Sequence, residues 1–240
     1  MSTAQALREL EAAGTEQNRK VYRRHGVGNA MFGVSYAVQR ALAKKAGRDQ
    51  ALADELWDTG NHDARILATL VADPAAISAK TIDEWVRELD NYVLMDAFSA
   101  IVAETPHAAS RALRWKDASR EMIGAAGWNV IAALAMRSDA FDDATLTSFL
   151  DTIEADIHKG RNRVRHAMNG ALIAIGMRNA ELEKRAIAVA RAIGPVDVDH
   201  GETGCKTPDA ASYIVKSRER SRKKTAARQS KPAKQASKRR

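Results

Sequence analysis

The chain has 240 residues, of which 45% are hydrophobic and 5% aromatic, with one cysteine and a formal net charge of +8. This length and apolar content allow one large domain or two small ones, and a lone cysteine excludes an intrachain disulfide framework. The N-terminus lacks the apolar core of a signal peptide, and no apolar stretch approaches the ~18 residues of a membrane span. We therefore expect a cytoplasmic protein with no membrane contact.

The folded part of the chain is predicted to be entirely helical. Its apolar residues are mainly alanine, no segment alternates with the period of a strand, and the five prolines fall at breaks in helical periodicity. In chain order the predicted helices are 3–13, 15–25, 34–46, 50–57, 62–72, 81–89, 94–104, 107–113, 117–136, 142–157, 161–175 and 179–193. A glycine-containing loop separates the second and third, and Thr81 with Glu84 predicts a capping box at the sixth.

Successive helix pairs recur at about 35 to 45 residues, a spacing typical of HEAT-like arrays. We therefore predict an all-α, HEAT-like helical repeat solenoid over residues 1–215, with a compact helical bundle as the rival fold. The motif His62–Asp63–Arg65 is interpreted as structural, because an acid is favoured in the first turn of a helix. The segment 196–208 contains His200 and Cys205 but no paired metal-ligand spacing, so we expect a structured loop and no metal.

Charge is distributed very unevenly along the chain. Residues 216–240 contain twelve Lys/Arg and one acid, a net charge of +11, whereas residues 1–215 contain 26 Lys/Arg and 29 Asp/Glu, a net charge of −3. A segment with so little apolar surface is predicted to be a disordered Lys/Arg-rich tail from residue 216. Such tails often bind nucleic acid, although a solubility or targeting role is the alternative.

Three basic clusters inside the folded part are candidate phosphate contacts, because phosphate binding needs several cations on one face. Each has a solvated helix face as its alternative. The clusters are Arg161, Arg163 and Arg165; Arg40, Lys44 and Lys45; and Arg23, Arg24 and His25.

Three stretches resemble the DNA alkylation repair family, the HEAT-like-repeat alkylbase DNA glycosylases. They are VYRRHGVGNAMFGVSYAVQRALAKK (21–45), LWDTGNHDARILATLVAD (56–73) and WVRELDNYVLMDAFSAIV (85–102). Their order and spacing carry the resemblance, which extends with weaker agreement to about residue 193.

The resemblance implies that Asp96 is the catalytic carboxylate and Tyr92 an aromatic beside the DNA backbone. Positions i and i+4 of a helix share one face, so both side chains can project into one concavity. The family has a second tryptophan in its pocket, and this chain has Gly170 at that position. The family also has a phosphate-binding arginine on the central helix, which this chain lacks at 127–129. Trp128 in that stretch is predicted to supply an aromatic contact to DNA.

The predicted function is therefore that of a DNA repair protein that binds alkylated duplex DNA. Its candidate activity is hydrolysis of the N-glycosidic bond of N3- or N7-alkylpurines. The alternatives are a non-catalytic protein that recognises branched or distorted DNA, and a protein-interaction scaffold. We expect double-stranded DNA as the partner of a monomer, with no cofactor.

Overall fold

The computed structural model describes the backbone of residues 1–229 and the side chains of residues 1–223. This part of the chain contains thirteen α-helices and no strand. The helices are α1 (Thr3–Ala13), α2 (Glu16–Arg24), α3 (Tyr36–Ala46), α4 (Gln50–Asp58), α5 (His62–Val71), α6 (Ala79–Trp85), α7 (Tyr92–Val102), α8 (Ala108–Trp115), α9 (Glu121–Arg137), α10 (Asp143–Asp156), α11 (Asn162–Gly176), α12 (Ala180–Ile193) and α13 (Ala210–Gln229). Short 3₁₀ turns, Val86–Glu88 and Ile157–Lys159, follow α6 and α10.

Most helices begin after a Ser, Thr, Asp or Asn whose side-chain oxygen accepts a hydrogen bond from a backbone N–H of the first turn. The predicted capping box of the sixth helix is corrected by the structure. The Oγ of Ser78 accepts from the N–H of Thr81 at 3.0 Å, so the N-cap lies three residues before Thr81 and α6 begins at Ala79. Thr81 is also a common capping residue by type, although Ser is preferred, and the backbone conformation selects Ser78.

The helices form two rows. In the first row α3, α5, α7, α9, α11 and α13 pack against one another in series, and in the second row α4, α8 and α12 pack against α5, α9 and α11. Each pair buries one apolar stripe between the rows, as in the predicted HEAT-like array. We use "open face" for the side of the first row that carries Tyr92, Asp96, Asn129, Arg163 and Gly170.

Aromatic side chains connect the N-terminal pairs. The indoles of Trp57 and Trp85 are stacked with ring centroids 4.2 Å apart and planes at 2°. Phe98 of α7 lies 6.2 Å from Trp57 and 5.7 Å from Trp115 of α8. All four rings are buried, so this part of the core fixes α4, α6, α7 and α8 relative to one another.

A buried carboxylate holds the segment between α2 and α3. Asp63 is 0% exposed and accepts hydrogen bonds from the backbone N–H groups of Phe32, Gly33 and Val34 at 2.7, 2.9 and 2.9 Å. Gly33 has φ +80°, and a Cβ there would lie 2.7 Å from the carbonyl oxygen of Thr15. The structure therefore gives Asp63 the structural role predicted for its motif.

Helix α13 corrects the predicted start of disorder at residue 216, because the helix continues to Gln229. Arg218 and Arg222 both donate to the Glu183 carboxylate of α12, at 2.9 and 2.8 Å. This tertiary anchor stabilises a helix that its composition alone does not predict. The remainder of the predicted tail, 230–240, lies outside the described residues. No helix among residues 1–229 is long and apolar enough to cross a bilayer.

Candidate nucleic-acid interface

Helix α7 places the two predicted site residues together. Its N-cap is Asn91, whose side chain accepts from the N–H of Leu94, so Tyr92 is the first helical residue and Asp96 follows one turn later. Leu94, Met95 and Phe98 are buried in the core. The opposite side of the helix therefore carries Tyr92 and Asp96 to the open face.

These side chains line a cleft of about 420 Å³. Its opposite wall is formed by α2 and the residue that follows it, and the start of α3 forms one edge. The lining residues are Val21, Tyr22, His25, Tyr36, Tyr92, Val93, Asp96, Ala97 and Ala100. The cleft is predominantly apolar with a few polar groups, the composition typical of a binding site.

The carboxyl group of Asp96 is the acid of the cleft. Its Oδ1 accepts a hydrogen bond from Nδ2 of Asn129 on α9, at 2.8 Å. Water reaches the side chain through the open mouth, yet the surrounding walls remove much of its solvation and raise its pKa to about 6. The Asn129 hydrogen bond and the charge of Arg163 oppose this rise. The carboxylate is therefore mainly ionised at neutral pH.

The ring of Tyr92 is covered on one side and hydrogen-bonded at its hydroxyl. The guanidinium carbon of Arg163 lies 3.9 Å from the ring centroid, a close cation–π contact. The hydroxyl is hydrogen-bonded to Nδ1 of His25 on the segment after α2. Burial, and then the charges of Arg24 and Arg163, lower the pKa of His25, which favours the neutral imidazole. Three distant parts of the chain thus meet at Tyr92.

The loop 194–209, between α12 and α13, also reaches this region. A Cβ on Gly201 would lie 3.6 Å from the carbonyl oxygen of Arg24, and the His200 ring packs edge-on against His166 with centroids 5.5 Å apart. Asn162 and Asp199 exchange two hydrogen bonds of 2.7 Å that tie the loop to the start of α11. Burial raises the pKa of Tyr92, and the exposed Cys205 lies near enough to add to this rise.

From the sequence alone this loop was predicted only as a structural element. The contacts of His25 with Tyr92 and of Asn129 with Asp96 were not predicted. One signal was available in the sequence. A loop without secondary structure as long as 194–209 is uncommon inside a domain and is usually functional. Within the described residues, no group of three or more His, Cys, Asp or Glu side chains is arranged to hold a metal ion.

Some of the predicted basic residues contact the cleft in the structure, and others lie elsewhere. Arg163 contacts Tyr92, and Arg40 lies 4.9 Å from the ring centroid of Tyr36, a residue of the cleft wall. Arg161 is exposed at the N-cap of α11, whereas Arg165 is half-buried. Lys45 instead pairs with Glu9 of α1 at 2.7 Å, while Lys44 is exposed. Arg163 and Arg40 therefore contact residues of the cleft, and Arg24 acts on the cleft residue His25 through its charge, whereas Arg23 pairs with Glu16.

Trp128 is a correction to the predicted interface. Its side chain is 1% exposed and packs edge-on against Phe149 in the core, with centroids 6.1 Å apart. Neighbouring residues of a helix point about 100° apart, so Asn129 faces Asp96 while Trp128 faces inward. Gly127 is also explained by packing, because a Cβ there would lie 2.4 Å from the backbone nitrogen of Lys116.

The fold and the open-face cleft place this chain among the HEAT-like repeat proteins. A solved structure that is 30% identical in sequence matches with a TM-score of 0.85, covering 92% of this chain and 96% of its own. That protein is described as belonging to a new family related to the HEAT-like repeat DNA glycosylases, with affinity for branched DNA structures. The predicted all-α, HEAT-like fold is confirmed.

The family follows from the sequence match. The model of the DNA alkylation repair enzyme family matches residues 6–214, so the chain belongs to that family, as predicted. The uncharacterized protein Lin0241 of Listeria innocua is 27% identical over 219 residues, 88% of this chain and 95% of that protein. The uncharacterized protein Lmo0209 of Listeria monocytogenes is 26% identical over 221 residues, 89% and 96% of the two chains.

Proposed function

We propose that the protein binds double-stranded DNA along the open face, as a monomer in the cytoplasm at the nucleoid, and that Asp96 hydrolyses the N-glycosidic bond of N3- or N7-alkylated purines. The observation that carries this proposal is the meeting of the Asp96 carboxylate, the Tyr92 ring and the Arg163 guanidinium at one solvent-accessible cleft. Membership of the DNA alkylation repair family supports a substrate of this kind. The DNA-binding neighbour at 30% identity supports the partner.

The proposed chemistry uses the charge that an alkylated purine already carries. As the bond from C1′ to the purine nitrogen breaks, its electron pair neutralises the cationic base, and positive charge develops on the deoxyribose. The ionised Asp96 stabilises that charge and accepts a proton from the water that attacks C1′. The products are the free alkylpurine and an abasic site. Arg163 would hold a flanking phosphate and so position the sugar.

Release of the base tests this mechanism directly. Methylated duplex DNA is incubated with the full chain, and free 3- and 7-methylpurines are quantified by chromatography. Asp96→Asn is expected to lower the single-turnover rate by at least about a hundredfold, because the amide cannot offset the developing cation. The matched control is Asp58→Asn, an exposed acid on α4, which should retain the wild-type rate. Equal rates for wild type and Asp96→Asn would refute the catalytic assignment.

A non-catalytic relative that recognises branched DNA is the second candidate function. It is favoured by a specific observation: Arg163 already occupies the face of Tyr92 on which a cationic base would stack. Salt-sensitive DNA binding without base release would support this candidate. Absence of salt-sensitive DNA binding would exclude both DNA functions and favour a protein-interaction scaffold.

A further inference from the structure

A second concavity lies on the open face beyond the Asp96 cleft. It is a groove of about 380 Å³ between α9, α11 and α13, which we call the Gly170 groove. Its principal walls are Ala132, Met136, Gly170, Ile173 and Tyr213. A Cβ on Gly170 would meet no atom within 4 Å, so the floor of the groove is open space.

The groove exposes apolar side chains to water. Met136 is 61% exposed and Tyr213 is 49% exposed, and both line the groove. Single exposed apolar residues are common, but two large ones around one open concavity indicate a surface that is covered by a ligand. The phenol ring of Tyr213 offers a flat face for stacking, and the flexible thioether of Met136 makes favourable sulfur–aromatic contacts, so both suit an aromatic ligand.

Helix geometry gives the position of the Gly170 groove relative to the Asp96 cleft. On α9, Asn129 contacts Asp96 and Met136 lies seven residues later; on α11, Arg163 contacts Tyr92 and Gly170 also lies seven residues later. Seven residues are two turns, or roughly 10 Å, on the same side of a helix. The Gly170 groove therefore continues the open face within one or two nucleotides' reach of the cleft.

Cations surround the groove. Arg137 is exposed and lines it, and Lys216 and Arg220 follow Tyr213 on α13 by three and seven residues, which places them on the same side of that helix. None of these three residues forms a salt bridge within the part of the chain that the structure describes, although the charge of Lys216 reaches Asp209 and contributes to lowering the pKa of that carboxyl group, after its hydrogen bonds with Ser212. Arg218 and Arg222 differ, because both are paired with Glu183.

An apolar, aromatic groove bordered by cations that form no salt bridge matches the chemistry of single-stranded DNA. Bases of a single strand stack on aromatic side chains while basic residues follow the phosphates. Paired bases in a duplex are already stacked and cannot enter such a groove. An apolar peptide or lipid would need no cations, and an acidic peptide would not need the aromatic surface.

We propose that the Gly170 groove binds an unpaired nucleobase, stacked against Tyr213 and Met136, with the adjacent phosphates on Arg137, Lys216 and Arg220. This inference rests on the proposed function in that the open face must bind DNA. It names the substrate class as DNA in which a single strand adjoins a duplex, such as a fork or flap. The duplex occupies the Asp96 cleft, and the unpaired strand passes over the groove.

The test compares two DNA ligands on the full chain by fluorescence anisotropy. One is a labelled duplex, and the other is the same duplex with an unpaired oligo-dT arm at one end. Tyr213→Ala is expected to weaken binding of the forked DNA about tenfold, the effect of losing one stacked base, and to change duplex binding less than twofold. The matched control is Val215→Ala on the same helix, which is 38% exposed and does not line the groove.

A second variant fills the groove without removing a contact of the fold. Gly170→Glu places a carboxylate in open space, where it would repel phosphate, and should cause the same selective loss for forked DNA. Gly170→Ala, which leaves the groove open, should bind as wild type does. This pair decides the question if Tyr213→Ala fails to fold by circular dichroism.

The outcomes separate the two proposals. Selective loss for forked DNA in both groove variants supports the unpaired-base site. Equal affinity of the wild type for both ligands, or equal loss on both in the groove variants, overturns that site and leaves duplex binding intact. No binding of either ligand by the wild type overturns the proposed function and the groove together.

Discussion

The acid at position 96 is controlled by neighbours that are distant in the sequence. Burial raises its pKa to about 6, while Asn129 and Arg163 oppose that rise. Because the folded-state pKa exceeds that of an unfolded aspartate, Asp96 lowers the stability of the fold as the pH rises from 3.8 to about 6, and the full cost is present above that range. A residue kept in such a position at the expense of stability is typical of a functional site.

Removal of the Asn129 hydrogen bond should move the titration of Asp96. In Asn129→Leu the carboxylate loses its donor, so its pKa should rise above 6, and in Asn129→Asp a second negative charge should raise it further. NMR titration of the Asp96 carboxyl group measures this without reference to activity. In the proposed mechanism base release needs the ionised form, so its rate should fall about tenfold per unit of pH below the new pKa. An unmoved titration in both variants would show that Asn129 does not control Asp96.

At the scale of residues, contacts within one helix could be predicted from the sequence, whereas contacts between distant helices could not. Tyr92 and Asp96 are i and i+4 on one helix, so their shared face was predictable. Arg163 was predicted as a phosphate clamp, but its contact with Tyr92 joins helices that are far apart in the chain. The choice between Trp128 and Asn129 depends on which side of α9 faces the core, and in a helix that is apolar on most sides the sequence does not decide this.

At the scale of elements, the segment between α2 and α3 has no regular secondary structure, and the Asp63 carboxylate accepts the hydrogen bonds of its backbone N–H groups. Asp63→Ala would leave three buried or half-buried N–H groups without their acceptor, and Gln39 would lose one of its two acceptors. We expect the free energy of unfolding to fall by about 3 kcal/mol, measured by urea denaturation. Because His25 lies next to this segment, DNA affinity should fall as well.

The control for this prediction is Asp58→Ala on α4, where the side chain is exposed. Its unfolding free energy should stay within about 0.5 kcal/mol of wild type. Similar losses in both variants would mean that the backbone hydrogen bonds to Asp63 contribute little.

The extent of the elements was predicted well where periodicity and capping agree, and poorly at the C-terminus. Twelve predicted segments correspond to α1–α12, with boundaries shifted by a few residues. Helix α13 was missed because its charged half was judged by composition alone. Its stability comes from Ile214 in the core and from Glu183 on a neighbouring helix, which are tertiary contacts.

At the scale of the whole molecule, most of the net positive charge and most of the specific contacts lie in different regions of the chain. Residues 1–215 have a net charge of −3 and residues 216–240 a net charge of +11, so long-range attraction to DNA is concentrated in the C-terminal region. Specific contacts depend on the few cations that the fold brings to the open face. Arg163 and Arg40 at the cleft, with Arg137, Lys216 and Arg220 at the Gly170 groove, form one path along the first row of helices.

The most direct test of this account is the DNA affinity of an Arg163→Glu variant. Its matched control is Arg191→Glu, an exposed arginine on α12 of the second row. In a salt titration with duplex DNA, Arg163→Glu should weaken binding at least about tenfold and flatten the dependence on salt, because a phosphate contact is lost. Arg191→Glu should bind within twofold of wild type. Equal losses in the two variants, or no loss in either, would contradict DNA binding at the open face.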